Sequence, residues 1–182
     1  MKGKNKQEWI EKGYFMISEQ GFKAISVESL ARLMNKNKSS FYHYFGNWET
    51  YEESLLDHHY QLSKPFAEKV AKCETIIPDI ANLFIEHRTD IFFHKQLRIH
   101  RTKPHFQQCF ESVFKLFEDA VLDKWSAFLG MNNQSFLASR FLVLLSENFL
   151  LQITHDQYNF DWLKNYFLEN AKLMQNLNVP PR

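Results

Sequence analysis

Residues 26–45 read SVESLARLMNKNKSSFYHYF. In both halves of this segment apolar residues recur every three or four positions, which is the spacing of a helix that packs on one side. Ser26 and Asn37 stand where the N-caps of two short helices belong, and the Asn-Lys-Asn between the halves favours a turn. We therefore predict helices over 26–34 and over Lys38–Tyr44, joined tightly as in a helix-turn-helix pair.

The second helix of this pair begins with groups that attract anions. Its N-terminus carries unpaired N–H groups and a partial positive charge, and Lys38 and Ser39 lie there. Ala31 is small where the two helices must approach, and Phe41 and Phe45 supply apolar contacts. The pattern favours a helix that reads nucleic acid, and the alternative is an ordinary pair of packed helices.

Helical spacing continues along the rest of the chain, and strand alternation is almost absent. We expect an all-α fold of about nine helices without a sheet. Gly21 and Gly46 predict helix ends, and Pro65 and Pro78 predict breaks between helices.

The second half of the chain has longer periodic segments. One runs from Ile80 to Ile91, and another opens at Pro104 and ends near Gly130. Residues 136–153 are apolar almost all round, which predicts burial on more than one side. Asp161 is expected to cap the last helix.

Composition narrows the class of protein. The chain has 182 residues, of which 45% are hydrophobic, with five Gly, five Pro and two Cys. These values exclude disordered, fibrous and disulfide-framework proteins and favour a soluble globular one. The 18 Phe residues fit either a Phe-rich core or a core with an aromatic-lined cavity.

Charge is divided unevenly although the formal net charge is only +1. Residues 1–50 hold eight Lys and Arg against five Asp and Glu, and residues 51–182 hold fourteen against sixteen. The excess of positive charge therefore lies in the N-terminal quarter, where it would favour contact with nucleic acid. We find no signal peptide and no membrane-length apolar run, so we expect a cytoplasmic protein without a membrane partner.

The N-terminal quarter carries a longer pattern than the helix pair alone. It consists of Ile17 through Gly21-Phe22, Ser26-Val27, Leu30-Ala31, Phe41-Tyr42-His43-Tyr44-Phe45, Asn47 and Glu49. In this pattern the chain resembles the DNA-binding domain of the TetR family of transcriptional regulators. Chain length and an apolar pair of terminal helices also agree with that family. The resemblance is detailed over residues 1–50 and holds in outline beyond them.

The resemblance implies a ligand-responsive repressor that binds a palindromic DNA operator as a homodimer. It implies a three-helix helix-turn-helix domain over residues 1–47. It also implies a helical body over 48–182 that dimerises and holds a small-molecule effector, whose binding moves the fourth helix. No cofactor is expected.

Carried onto matching positions, the resemblance gives a set of DNA-binding candidates: Ser26, Lys36, Lys38, Ser39, Ser40, Tyr42 and His43. Tyr42, Ser26 and Ser40 would mainly touch phosphates, whereas Lys38, Ser39 and His43 could reach base edges. Ordinary packing is the alternative for Tyr42, and a solvated helix face is the alternative for His43.

Three positions depart from the family's pattern. Asn35 stands where Gly is usual in the turn, and Asn tolerates a left-handed backbone. Lys36 stands where an apolar residue is usual, which adds a cation near the groove. Trp48 replaces a Lys near the start of the fourth helix, so one phosphate contact is lost and DNA affinity is expected to fall.

The helical body offers candidates for the effector and for the second protomer. Residues 87–105 are rich in His, Lys and Arg, which fits a pocket for an anionic ligand, a second basic surface toward DNA, or a solvated face. Our candidates for ligand binding are His94, Arg98, Phe110, Phe114 and Phe117. Our candidates for the dimer interface are Phe141, Leu144, Leu145, Phe149, Trp162, Tyr166 and Phe167.

Enzyme and metal chemistry find little support in the sequence. No phosphate-binding loop, GxSxG, HExxH or CxxC occurs, and Cys109 lies among apolar residues. His58 and His59 are adjacent and so diverge on a helix, and nothing completes a metal geometry around them. We therefore expect neither an enzyme nor a metal protein. The rival to a DNA-binding regulator is a dimeric helical protein that binds a small molecule and has lost DNA binding.

Overall fold

A computed structural model describes residues 2–177 and the side chains of residues 5–176. Of these described residues 83% are helical, and they form nine α-helices and no strand, as the sequence predicts. The helices are α1 Lys2–Gln20, α2 Val27–Leu33, α3 Lys38–Phe45, α4 Trp48–Lys72, α5 Ala81–Glu86, α6 Arg88–Ile99, α7 Pro104–Phe128, α8 Ser135–Gln152 and α9 Phe160–Leu177. A 3₁₀ turn at Phe22–Ala24 follows α1, and a π-type turn at Ile76–Ile80 precedes α5.

The helices group into two compact units. The first unit contains Met1–Ser63 and Thr89–Ser112, and the second contains Lys64–Arg88 and Val113–Arg182. The domain boundary expected after residue 47 stays a prediction.

The predicted caps of the first helices are confirmed. Ser26 Oγ accepts a hydrogen bond from the Ser29 amide at 3.1 Å, and the Ser29 hydroxyl accepts one from the Ser26 amide in return. Asn37 Oδ1 accepts from the Ser40 amide at 2.9 Å at the start of α3. Because an N-cap satisfies an N–H group that the helix leaves unpaired, these side chains define where α2 and α3 begin.

Left-handed residues end the helices where the sequence predicts. Gly21 has φ +80° after α1, and Gly46 has φ +73° after α3. Asn35 has φ +51° in the turn between α2 and α3, a left-handed backbone that Asn tolerates better than most residues.

Three predicted boundaries are wrong. Pro65 lies inside α4, which is continuous from Trp48 to Lys72, because one missing N–H does not end a helix whose flanking turns are packed. The segment from Ile80 to Ile91 is two helices, interrupted at His87, whose backbone leaves the helical region at ψ +29°. Asn159, not Asp161, accepts from the Trp162 amide at 3.0 Å and caps α9.

Aromatic packing forms the core of the first unit. Trp9 and Phe41 meet edge to face with ring centroids 5.5 Å apart, and Phe41 lies 5.0 Å from the Tyr51 ring. The Tyr51 hydroxyl donates to the Trp9 carbonyl at 2.7 Å. All three rings are fully buried, so α1, α3 and α4 share one rigid core.

The second unit has its own aromatic core. Phe84 of α5 packs against Phe117 of α7, Phe149 of α8 and Phe167 of α9. The Tyr158 hydroxyl donates to the Phe84 carbonyl at 2.8 Å. The excess of phenylalanine is thus explained in part by packing between these helices.

Burial of α8 differs from the prediction. Leu142 and Phe149 are buried, but Phe136, Leu144 and Leu151 are 74%, 62% and 69% exposed. The isolated chain therefore covers only one side of this apolar helix.

Candidate nucleic-acid interface

α3 presents two chemically different sides. Phe41 and Phe45 are buried and attach the helix to the first unit. The helix also exposes Lys38, Ser39, Tyr42 and His43, four of the DNA-binding candidates. Tyr42 is 50% exposed, so its ring is not a core residue.

Helical geometry explains the exposure of two of these side chains. Ser39 and His43 are four residues apart and lie opposite the buried Phe41 and Phe45. Tyr42 lies on the flank of the helix, and Lys38 is exposed at its first position. The four exposed side chains provide a cation, a hydroxyl, a phenol and an imidazole, which are groups that can donate hydrogen bonds to phosphates and base edges.

The charged end of α3 is partly neutralised. Lys38 Nζ lies 3.0 Å from Glu28 Oε1 of α2, and both side chains are more than half exposed. The hydrogen bond from Lys38 lowers the pKa of Glu28. An exposed pair of this kind is weak and is screened by salt, so Lys38 can exchange its carboxylate for a phosphate.

The remaining candidates have structural partners. Lys36 forms an ion pair with Glu8 of α1 and is only half-buried. The Ser26 hydroxyl caps α2 while remaining exposed, and Ser40 is half-buried behind Ser39 on α3. Of the seven candidates, Lys36 is thus engaged by a carboxylate of α1, and the hydroxyl of Ser26 is used as a helix cap.

The Trp48 side chain packs against residues of the first unit. Its ring is stacked on Phe41 at 6.1 Å between centroids and lies 5.2 Å from Tyr51. Its indole N–H donates to Glu52 Oε1 at 3.0 Å. A side chain held in this way packs α3 against α4.

The ligand-binding candidates fall in both units. His94 stacks on Phe110 at 4.4 Å in the first unit, where Arg98 also lies half-buried. Phe114 and Phe117 belong to the second unit. Sequence periodicity could not separate these groups, because Phe110, Phe114 and Phe117 lie on the same helix, α7, which contributes residues to both units.

An apolar cavity lies inside the second unit. It has a volume of about 40 Å³ and is lined by Phe84, Phe117, Trp125, Phe149 and Tyr166 among others. A drug-sized ligand needs roughly 300–1,000 Å³. In this conformation the cavity is too small for such a ligand.

A buried polar chain in the first unit was not predicted from the sequence. The Tyr14 hydroxyl lies 2.8 Å from Asp90 Oδ1 and 2.7 Å from His59 Nδ1, and His59 Nε2 lies 3.2 Å from His94 Nδ1. Because the Tyr14 hydroxyl donates its one proton to Asp90 Oδ1, it accepts from His59 Nδ1–H. His59 Nε2 then accepts from His94 Nδ1–H. Each of the three hydrogen bonds therefore has one donor and one acceptor.

Burial keeps both imidazoles of this chain neutral. It lowers the pKa of His59 well below the ordinary value and lowers that of His94 to about 3. Burial, together with the charge of Asp90, raises the pKa of Tyr14. Histidine spacing along the helices could have drawn attention to His59 and His94, but nothing local in the sequence pairs residues so far apart.

The dimer candidates divide into buried and accessible residues. Phe149, Tyr166 and Phe167 are buried in the core of the second unit. Leu144 is largely exposed, and three others are half-buried: Phe141, Leu145 and Trp162. Three exposed side chains recur on α8 at intervals of seven and eight residues, and therefore share one face: Phe136, Leu144 and Leu151.

The part of the chain that the structure describes has neither a membrane-spanning helix nor a metal-binding cluster. Within residues 2–177 no helix combines the length and apolar character needed to cross a membrane. The same residues contain no group of three or more His, Cys, Asp and Glu arranged to hold a metal ion. Both cysteines are half-buried free thiols, and burial raises the pKa of Cys109 to about 12, which keeps it protonated near neutral pH.

Comparison with protein-family models, with curated proteins and with solved structures gives no significant match to this chain.

Proposed function

We propose that this protein is a DNA-binding transcriptional regulator that places α3 in the major groove of duplex DNA. The exposure of Lys38, Ser39, Tyr42 and His43 on α3 carries the proposal. A helix of this kind reads bases with its N-terminal residues while phosphate contacts fix its register. The resemblance of residues 1–50 to the TetR family points the same way.

The proposal includes a homodimer that binds a palindromic operator and acts as a repressor. The apolar face of α8 supports a second copy as the partner, since large exposed apolar patches mark interaction sites. Two-fold symmetry would set two α3 helices about one DNA turn apart.

The proposed effector would bind in the second unit. The cavity there is apolar with a few polar groups, which fits a small hydrophobic ligand. Since its volume is about 40 Å³, binding requires that α7, α8 and α9 move apart. A ligand that favours the wider arrangement would shift the population toward it.

Titration of the full chain against a labelled duplex from upstream of its own gene tests the proposal. We expect saturable binding that weakens as salt rises from low to moderate concentration, because phosphate contacts release counterions. Tyr42→Ala should weaken binding to all sequences alike, and Ser39→Ala should change the preference between this duplex and a scrambled one.

Phe15→Ala is the matched control for Tyr42→Ala. Phe15 is an aromatic residue of the first unit with nearly the same exposed fraction, 49% against 50%, but it lies on α1. It should leave DNA affinity unchanged. Equal losses in both variants, or no loss in either, would contradict the role of α3.

A second candidate function is a dimeric helical protein that binds a small molecule and no longer binds DNA. It is favoured by the internal ion pairs of Lys36 and Lys38 and by the inward packing of Trp48. Absence of saturable binding to the upstream duplex at both salt concentrations would select it.

A further inference from the structure

A buried carboxylate lies behind the packing of α3. Glu52, on the second turn of α4, is only 5% exposed. Lys103 Nζ donates to its two carboxylate oxygens at 2.8 and 3.0 Å, and Trp48 Nε1 donates to Oε1 at 3.0 Å. His105 Nε2 lies 3.7 Å from Oε2. The carboxylate thus joins the start of α4 to the residues that lead into α7.

Trp48 connects the Glu52 carboxylate to α3. Its ring is stacked on Phe41, with 22° between the planes, and Phe41 is the fully buried residue by which α3 is anchored. The indole has one N–H, and its hydrogen bond to Glu52 selects one orientation of the ring. The orientation of that ring in turn sets the surface on which α3 packs.

Lys103 is anchored at the other end. Its ammonium lies 4.7 Å over the ring of Phe106, which is fully buried. The ring centroid of Phe106 lies 4.7 Å from that of Phe22, the first residue of the 3₁₀ turn after α1. The cation that neutralises Glu52 is therefore held against the core of the first unit.

We propose that Glu52 and Lys103 are positioning residues for DNA recognition, which hold Trp48 against Phe41 and so set the direction in which α3 presents its exposed face. The inference rests on the proposed DNA-binding function. It also gives a role to Trp48, which stands where the family resemblance leads one to expect a phosphate-contacting Lys. In this chain the residue at that position contacts the buried side of α3 through Phe41 and so sets the orientation of the helix.

The salt dependence of DNA binding separates positioning from direct contact. The logarithm of the binding constant falls linearly with the logarithm of the salt concentration, and each phosphate contact that is removed makes this slope shallower by about 0.9. Lys103→Met should weaken binding to the upstream duplex by about tenfold at every salt concentration, the equivalent of one strong hydrogen bond, with the slope unchanged. Lys103→Arg should restore most of the affinity, since it keeps the charge and the donors.

Arg101→Met is the matched control. Arg101 is an exposed cation two residues away, and it is not part of the Glu52 cluster. It should leave both affinity and slope unchanged. If the salt dependence of Lys103→Met is shallower than that of the wild type by about one, Lys103 contacts a phosphate directly and the inference is overturned. Unchanged affinity in Lys103→Met would overturn it as well.

Two further measurements keep the test decisive if Lys103→Met unfolds, because that variant leaves Glu52 buried without its cation. Trp48→Phe keeps an aromatic ring over Phe41 but loses the N–H together with the second ring of the indole, and it should weaken DNA binding several-fold while the protein stays folded. Unchanged affinity of folded Trp48→Phe would overturn the inference.

The indole N–H resonances give a signature that a general loss of stability would not produce. In ¹⁵N-labelled Lys103→Arg the Trp48 resonance, assigned by its loss in Trp48→Phe, should move, while those of Trp9, Trp125 and Trp162 stay in place. If all four move together or none moves, Lys103 does not act through Trp48. Failure of the wild type to bind DNA, by contrast, overturns the proposed function itself and removes the inference with it.

Discussion

Gly13 of α1 lies directly against the hydroxyl of Tyr51 on α4: a β-carbon at residue 13 would lie 1.7 Å from that oxygen. Tyr51 is fully buried, and its hydroxyl is held by the Trp9 carbonyl, so the ring cannot swing aside. The close approach of α1 and α4 therefore depends on a glycine at this position.

Gly13→Ala should destabilise the protein by about 1–3 kcal/mol, because the added methyl forces the two helices apart. Chemical denaturation of the variant measures this loss. The double variant with Tyr51→Phe, which removes the oxygen, should recover part of it, so the two effects should not be additive. A more stable Gly13→Ala, as expected for an exposed helical glycine, would contradict the packing.

Glu28→Gln should raise DNA affinity at low salt, because it releases Lys38 from an exposed ion pair beside the reading helix. We expect the gain to be a few-fold and to disappear as salt is raised. Titration of the upstream duplex measures both. Glu8→Gln is the comparison, since it releases Lys36, which lies in the turn rather than on α3. A gain in Glu8→Gln alone would place the DNA contact in the turn.

Stability should fall as the solution is made acidic, because His59 and His94 are neutral in the folded protein. In the unfolded chain a histidine has a pKa of about 6.5, so below that pH the unfolded state binds more protons. The stabilisation is complete above about pH 6.5 and is lost as the pH falls toward the lowered folded values. Each such histidine contributes about 1.4 kcal/mol per pH unit in this range.

Urea denaturation at about pH 7.5 and about pH 5 measures this dependence. His94→Gln removes one of the groups whose pKa is lowered by burial, so stability should decline less steeply as the pH falls. His155→Gln serves as the control, because the second unit holds that residue outside the buried polar chain. An equally steep decline in His94→Gln would show that other groups cause the acid sensitivity.

Leu144→Glu should produce a folded monomer, because Leu144 is exposed on the apolar face of α8. Phe167→Glu should instead unfold the second unit, since that ring is buried against Phe84. Sedimentation gives the oligomeric state, and thermal denaturation distinguishes the two outcomes. A dimer that persists in folded Leu144→Glu would move the interface away from this face.

Features set by neighbours in sequence could be predicted. The caps at Ser26 and Asn37 and the left-handed turn at Asn35 each depend on residues within one helical turn of one another. The exposure of Ser39 and His43 on α3 follows from the same local periodicity, once Phe41 and Phe45 are assigned to the core.

Predictions about helix interruption and burial were less successful. Pro65 breaks a helix by propensity, but α4 continues through it because packing outweighs one missing hydrogen bond. The all-round apolar pattern of α8 predicted burial, yet a single chain covers only one of its sides. In both cases the outcome depends on neighbours that the local sequence does not specify.

By itself the sequence determined the all-helical class, the start of α2 and α3, and which side chains α3 turns outward. Only the tertiary structure decided that Glu52 pairs with Lys103, 51 residues later, and that His59 meets His94, 35 residues later. It also decided that Lys36 is held by Glu8, 28 residues earlier. The reason is physical: hydrogen bonds within a helix connect residues four apart, whereas a buried charge takes its partner from whichever helix the fold brings against it.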